Sequence, residues 1–244
     1  MAKKLRVGIL FGGRSGEHEV SLLSAASVLK AIDRKKFDVV PIGITKEGHW
    51  LSAGEAHGLL EGDHSAMARH LRAGDPEATP GARLLQEGMP MLLAPEPAQD
   101  SKGKALARAG GESPVSGQSL DVVFPVLHGT FGEDGTIQGL FGLAGIPYVG
   151  SGVLGSSAGM DKDVMKRLFA QAGLPIVKHV ALLRSEWEKS PRKAVQQIEA
   201  ALKYPVFVKP ANLGSSVGIS KAHDRKELGP ALDEAAKYDR KLVG

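Results

Sequence analysis

At 244 residues, 42% hydrophobic and 24% charged, the chain is long enough for one large domain or two small ones, and too apolar for disorder. It has no cysteine, which removes disulfides, thiol nucleophiles, thiolate zinc sites and iron–sulfur ligation. The net charge of +4 invites a nucleic-acid partner, but aromatics are only 5%, Lys and Arg are scattered, and no recognition motif stands out, so no nucleic-acid partner is expected.

From the N-terminus, Leu5–Phe11 is a short apolar run that reads as a strand. The residues before it lack the apolar stretch and cleavage site of a signal peptide. No apolar run approaches the roughly 18–20 residues of a membrane span. A cytoplasmic protein with no membrane partner is the expectation. Gly12-Gly13-Arg14-Ser15-Gly16 breaks the strand, and from Glu17 the residues Leu22, Ala25, Ala26, Leu29 and Ile32 recur at helical spacing. Phe37–Thr45 reads as a second strand, and this βαβ opening favours a parallel sheet. Residues from about 53 to 118 read as an irregular surface region, with Met89–Leu93 as a hairpin arm.

Leu120–Leu127 reads as a buried strand. Asp134 is expected to cap a helix whose apolar face is Ile137, Leu140, Phe141 and Ala144, with Gly145 at its C-terminal end. Ile146–Val149 reads as a short strand, and the glycine- and serine-rich stretch Gly150–Gly159 as a domain boundary. Asp161 is expected to cap the next helix, with Val164, Met165, Leu168, Phe169 and Ala172 buried and Gly173 and Pro175 as the stop. Then come a strand over Ile176–Leu183, a helix from Pro191 to about Lys203, a strand over Val206–Lys209 and a loop over Pro210–Ser216. A strand over Val217–Lys221 and a helix from about Arg225 to Tyr238 follow. Lys241–Gly244 looks like the start of a strand that does not complete.

Four segments carry candidate chemistry. In Gly12–Ser21, GGRSGEHEVS, the glycines fit neither a dinucleotide fingerprint nor a phosphate P-loop. Glu17 and Glu19 there have two readings: carboxylates that favour a helix dipole, or a strand-end carboxylate that pairs with a substrate ammonium. In HGTFGEDGTIQG, His128 is either a satisfied strand-end histidine or a donor to a carboxylate. Lys162 falls in the first turn of a helix, where a cation is unfavourable by a few tenths to about 1 kcal/mol, so either it is solvated or it serves an anion such as phosphate. In VFVKPANLGSSVGISK, Lys209 ends an apolar strand beside a Gly-Ser-Ser loop, an arrangement that could clamp phosphate or be an ordinary hairpin.

Together, VGILFGGRSGEHEVSLLSA, HGTFGEDGTIQG, IPYVGSGVLGSSAGMDK and VFVKPANLGSSVGISK resemble the D-alanine–D-alanine ligases of the ATP-grasp superfamily, in order and over nearly the whole chain. The resemblance implies an α/β fold: an N-terminal Rossmann-like parallel-sheet (pre-ATP-grasp) substrate domain over residues 1–150, then an incomplete ATP-grasp α+β domain over 151–244. It implies a reaction in which ATP phosphorylates the carboxylate of one D-alanine and the amine of a second displaces phosphate, giving a dipeptide for peptidoglycan. It implies that Glu17 helps hold the first D-alanine's ammonium, that Ser215 is linked to it in the catalytic hydrogen-bond network, and that His128 lines the substrate pocket. Lys162 and Lys209 match lysines that contact ATP phosphates, and Gly214, Ser215 and Ser216 match a loop that closes over the triphosphate. ATP and Mg²⁺ (or Mn²⁺) are the implied cofactors. Homodimer formation through the first domain is left open.

The departure is that family members continue beyond the positions matched here. No metal ligand is assigned among these residues, because the resemblance locates the acidic and Asn ligands, with the second D-alanine's pocket, in that further part. The 244 residues alone are therefore expected to lack ligase activity. The alternatives are a D-alanine–D-lactate ligase, a non-catalytic binding fragment and, against the missing fingerprint, a nicotinamide dehydrogenase.

Overall fold

A computed structural model describes residues 4–51, 53–61 and 120–244, so the expected hairpin arm at Met89–Leu93 lies outside the described residues. These residues divide into two compact units. One comprises those up to Gly132 together with Thr136–Gly152, and the other Glu133–Gly135 together with Val153–Gly244.

The first unit is built on three parallel strands, β1 (Leu5–Gly12), β2 (Phe37–Ile44) and β3 (Val122–Pro125), in the order β2-β1-β3. Helix α1 (His18–Ala31) joins β1 to β2, α2 (Ala53–Leu60) follows β2, and α3 (Thr136–Ala144) follows β3. The central position of β1 explains its composition. Alternate residues of a strand point to opposite faces, and both faces are covered. Val7, Ile9 and Phe11 enter one cluster with Ala25 of α1 and Ala56 and Leu59 of α2. Leu10 enters the other with Ile137 and Phe141 of α3. A parallel strand buried on both faces reads as a continuous apolar run, which is why it is recognisable.

Several boundaries differ from those expected. The third strand is four residues long rather than eight, and Ile146–Val149 contributes only an isolated parallel bridge, Val123 to Tyr148. Helix α3 starts at Thr136, after Gly135 at φ +95°, and the Asp134 carbonyl accepts a bond from the Ser157 hydroxyl at 2.7 Å.

The second unit holds an antiparallel sheet in the order β4-β7-β5-β6, from β4 (Ala181–Leu183), β5 (Val206–Pro210), β6 (Ser220–Ala222) and β7 (Lys241–Val243). Its helices are α4 (Val153–Met160), α5 (Lys162–Gln171), α6 (Arg184–Lys189), α7 (Pro191–Ala201) and α8 (Arg225–Ala236). Ile198 of α7, Leu228 and Leu232 of α8, Val208 of β5 and Leu242 of β7 form its core. The stretch Gly150–Gly159, expected as a domain boundary, is largely helix α4. One expectation is corrected here. The apolar residues of α5 are not buried, with Leu168 54% and Phe169 43% exposed, while the buried residue of α5 is Asp163. Lys241–Val243, expected as the start of a strand, is strand β7, bonded to β4 on one side and β5 on the other, with the Leu242 and Val243 side chains buried in the sheet.

Candidate active site

In the first unit the candidate residues gather at the carboxyl ends of the strands. Gly12 ends β1 at φ +90°, a conformation glycine adopts at little cost, and a Cβ there would collide with the Ile44 carbonyl. The chain turns tightly enough for Gly13 N–H to donate to that carbonyl at 2.8 Å. Glu17 stands immediately before α1 and makes no side-chain capping bond to it.

Ser15 joins Glu17 to His128. Its hydroxyl donates to the His128 carbonyl at 2.6 Å and accepts from Glu17 N–H at 3.1 Å. Gly129, at φ +72°, lies so close to Glu17 that an added Cβ would strike the carboxylate. The His128 ring is fixed through Nε2, which lies 3.0 Å from the Ser24 hydroxyl. Two turns of α1 contribute to this, because Ser21 and Ser24 are three apart and share a face. Ser21 accepts from Gly12 N–H at 2.8 Å and donates to the Val126 carbonyl at 2.5 Å. A cavity of about 310 Å³ opens beside His128, walled by Trp50, Leu127, Ile137 and Leu140 and rimmed by Phe131 and Arg14, whose guanidinium lies 5.4 Å from the Phe131 ring centre. Reading residue types alone singles out Glu17 and His128 but misses Ser15, Ser21 and Ser24. Their signal is the spacing of serines that face the strand ends.

In the second unit, strand alternation sends Val206, Val208 and Pro210 inward and leaves Phe207 and Lys209 on the outer face. There both line a cavity of about 530 Å³, with Lys166, Lys178 and Lys203 and the apolar Val177 and Val243. An aromatic and aliphatic wall with four ammonium groups suits a flat apolar ring attached to a polyanion.

Lys162 does not line that cavity. Its ammonium donates to the Leu213 carbonyl and, at 3.3 Å, to the Ala211 carbonyl, so it holds the start of the Gly214–Ser216 loop. Burial lowers its pKa from the usual lysine value, the nearby Lys209 ammonium lowers it further, and Asp239 and Asp161 oppose both. In the loop the left-handed conformation falls on Ser215 (φ 45°) and Ser216 (φ 60°), not on Gly214. Non-glycine residues rarely adopt it, which marks this turn as strained.

Asp161 caps α5, accepting from Asp163 N–H at 3.0 Å and Val164 N–H at 3.1 Å, as expected from the sequence. It also pairs with the Lys241 ammonium at 2.6 Å. Asp163 is buried and meets Arg167 at 2.9 Å, His179 at 3.4 Å and Lys241 at 3.6 Å. Burial alone would raise the Asp163 carboxyl, but the Arg167 guanidinium, the hydrogen bond to His179 and the Lys241 ammonium hold it below its usual value. Among the described residues no three or more His, Cys, Asp or Glu side chains are gathered to hold a metal ion, and no helix is long and apolar enough to cross a membrane.

Two family models match the chain. One, described as D-ala D-ala ligase N-terminus, matches residues 6–151, and the other, D-ala D-ala ligase C-terminus, matches 168–243. The D-alanine–D-alanine ligase of Natranaerobius thermophilus is 49% identical over 241 residues, which is 99% of this chain and 59% of that protein. The VanG D-Ala:D-Ser ligase from Enterococcus faecalis superposes with a TM-score of 0.70 at 35% identity, over 99% of this chain and 62% of its own. The D-alanine–D-alanine ligase from Coxiella burnetii superposes with a TM-score of 0.67 at 30% identity, over 98% and 63%. The chain therefore spans about 60% of the length of the curated relatives it matches.

Proposed function

This chain belongs to the D-alanine–D-alanine ligase family, and we propose that it forms the ATP- and first-substrate-binding part of an enzyme that joins two D-alanines for peptidoglycan. The observation that carries the reading is that Lys162 holds the stem of the glycine–serine loop, while Lys209, near enough to lower the Lys162 pKa, lines a cavity with an aromatic wall. The reaction transfers the γ-phosphoryl group of ATP to the carboxylate of one D-alanine. The second amine then attacks the acyl phosphate, and inorganic phosphate leaves. In this reading Glu17 pairs with the first substrate's ammonium, and His128, its ring set by Ser24, donates toward the carboxylate. Lys209 and Lys162 neutralise phosphate charge, Gly214–Ser216 covers the phosphates, and Ser215 is part of the catalytic hydrogen-bond network. Such transfer depends on positioning and charge neutralisation. In this reading Mg²⁺ (or Mn²⁺) would accompany ATP; among the described residues no three or more His, Cys, Asp or Glu side chains are gathered to hold it.

We assign residues 1–150 to the substrate domain and 151–244 to the nucleotide domain, an assignment supported by the division of the described chain between Gly152 and Val153. A cytoplasmic location and self-association through the first domain remain parts of the same proposal. A second reading concerns the other substrate. The likeness to a D-Ala:D-Ser ligase over 99% of this chain supports a fold common to ligases with different second substrates, D-lactate among them.

The test is calorimetric ATP binding by the 244-residue chain, alongside phosphate release with ATP, Mg²⁺ and D-alanine. ATP is expected to bind, and Lys209→Ala to weaken it by about tenfold or more, the loss of one charge-assisted contact. D-alanine-dependent phosphate release is not expected. Its appearance would show that this length is sufficient for phosphoryl transfer. ATP binding unaffected by Lys209→Ala would remove that lysine from the site.

A further inference from the structure

Asp239 has no part in the reading above, yet it bonds to the stem of the Gly214–Ser216 loop. Its Oδ2 accepts from the Asn212 backbone N–H at 2.7 Å and from the Asn212 side-chain amide at 3.0 Å. Its Oδ1 accepts from Lys241 N–H at 3.1 Å. A carboxylate that uses both oxygens on three N–H donors is a fixed point of the structure, not a solvated surface charge. The backbone repeats the link: Ala211 N–H donates to the Lys241 carbonyl at 2.9 Å, and Lys162 N–H donates to the Ala211 carbonyl at 3.0 Å. Residues 211 and 212 are thus held between the corner before β7 and the first turn of α5. The glycine–serine loop departs from that stem.

We propose that Asp239 is a positioning residue for phosphate binding: it sets the stem of the Gly214–Ser216 loop through Asn212 and supplies negative charge beside the Lys162 ammonium group. The proposal rests on the nucleotide reading. Two ammonium groups brought together for one polyanion repel each other before it arrives, and a fixed carboxylate offsets that repulsion. The balance at Lys162 agrees. Burial and then Lys209 lower its pKa, while Asp239, from the corner before β7, and Asp161, its neighbour in the chain, raise it. The other charges around the start of α5 are engaged with one another: Lys241 pairs with Asp161 and Asp163, and Asp163 also meets Arg167 and His179.

The test compares Asp239→Asn, which keeps a carbonyl oxygen for Asn212 but loses the charge, with Asn212→Ala, which keeps the charge and loses the amide contact. The Lys162 amine is followed by NMR in the ¹³C-dimethylated chain without nucleotide, assigned with Lys162→Arg, and ATP binding is measured separately. Lys162 is expected to titrate at lower pH in Asp239→Asn and to stay unmoved in Asn212→Ala. ATP affinity is expected to fall several-fold in both. An unmoved Lys162 titration in folded Asp239→Asn would overturn the proposal. So would unchanged ATP affinity in Asn212→Ala, which carries the test if Asp239→Asn does not fold. If the unsubstituted chain binds no ATP, the nucleotide reading fails, and the Lys162 titration alone still decides whether Asp239 acts on Lys162.

Discussion

Gly129 shows how one residue can serve two others. Its left-handed backbone follows His128, and its missing side chain is the space into which the Glu17 carboxylate fits. Gly129→Ala is expected to destabilise the chain by about 1–3 kcal/mol through backbone strain and collision together. The two causes separate in a double-mutant cycle. With Glu17→Ala the collision disappears and the strain stays, so urea denaturation should show a smaller cost for Gly129→Ala in that background. Equal costs in both backgrounds would mean that Glu17 does not fill the space. At this scale the sequence exposes residues whose type is unusual for their place. Lys162 in a first helical turn and a histidine followed by glycine are such cases. It conceals those whose role depends on distant partners: Ser24 is identifiable only once His128 lies 3.0 Å away, and Asp239 only once Asn212 does.

Helix α5 illustrates the element scale. Its start is held by Asp161 and Asp163 against Lys241 of β7, and the same turn carries Lys162. Cations hold the Asp163 carboxyl below its usual value of 3.8 in the folded chain despite burial. The unfolded chain therefore takes up the proton first as pH falls. The stability from this group is fully present above its unfolded value and is lost as pH drops through the folded one. Asp163→Asn should be less stable at neutral pH and should show a flatter decline in acid, measured by denaturant midpoints from pH 7 down to about 2. An unchanged acid slope would detach Asp163 from the ion-pair cluster. Elements with an internal period are legible: β1 and β5 by their apolar runs, α1 and α8 by helical spacing. Helix α6 is not, since it is six residues long and anchored mainly by Trp187, whose ring nitrogen donates to Asp233 at 2.9 Å. The exposed apolar residues of α5 misled for a related reason: periodicity reports that a face is apolar, not what covers it.

At the scale of the molecule, each unit has its own core, one around the parallel sheet and one around the antiparallel sheet. If nucleotide binds only the second unit, its protection should be local. At a hundred times its dissociation constant, ATP adds about 2.7 kcal/mol to a unit that binds it only when folded. Amide exchange in β5 and β7 should therefore slow about a hundredfold while exchange in β1 is unchanged. Equal slowing in both sheets would show that the two units open together. The parallel first sheet is legible from the βαβ opening and the α+β second part from the family resemblance, but the strand order β4-β7-β5-β6 is in neither. A three-residue strand carries too little pattern to announce that it lies in the middle of a sheet.

That central strand also bears on how the protein is made. Translation delivers β4, β5 and β6 before β7, yet β4 and β5 have no shared edge until β7 lies between them. Among the described residues, the first unit has its three strands once β3 has left the ribosome and can fold on the nascent chain, whereas the described strands of the second sheet wait for residues 241–243. Asp239 and Lys241, which anchor the loop stem and the start of α5, arrive in the same late stretch. A ribosome stalled before them would display a folded first unit, while the lysines proposed for ATP would lack the anchors that hold them in place.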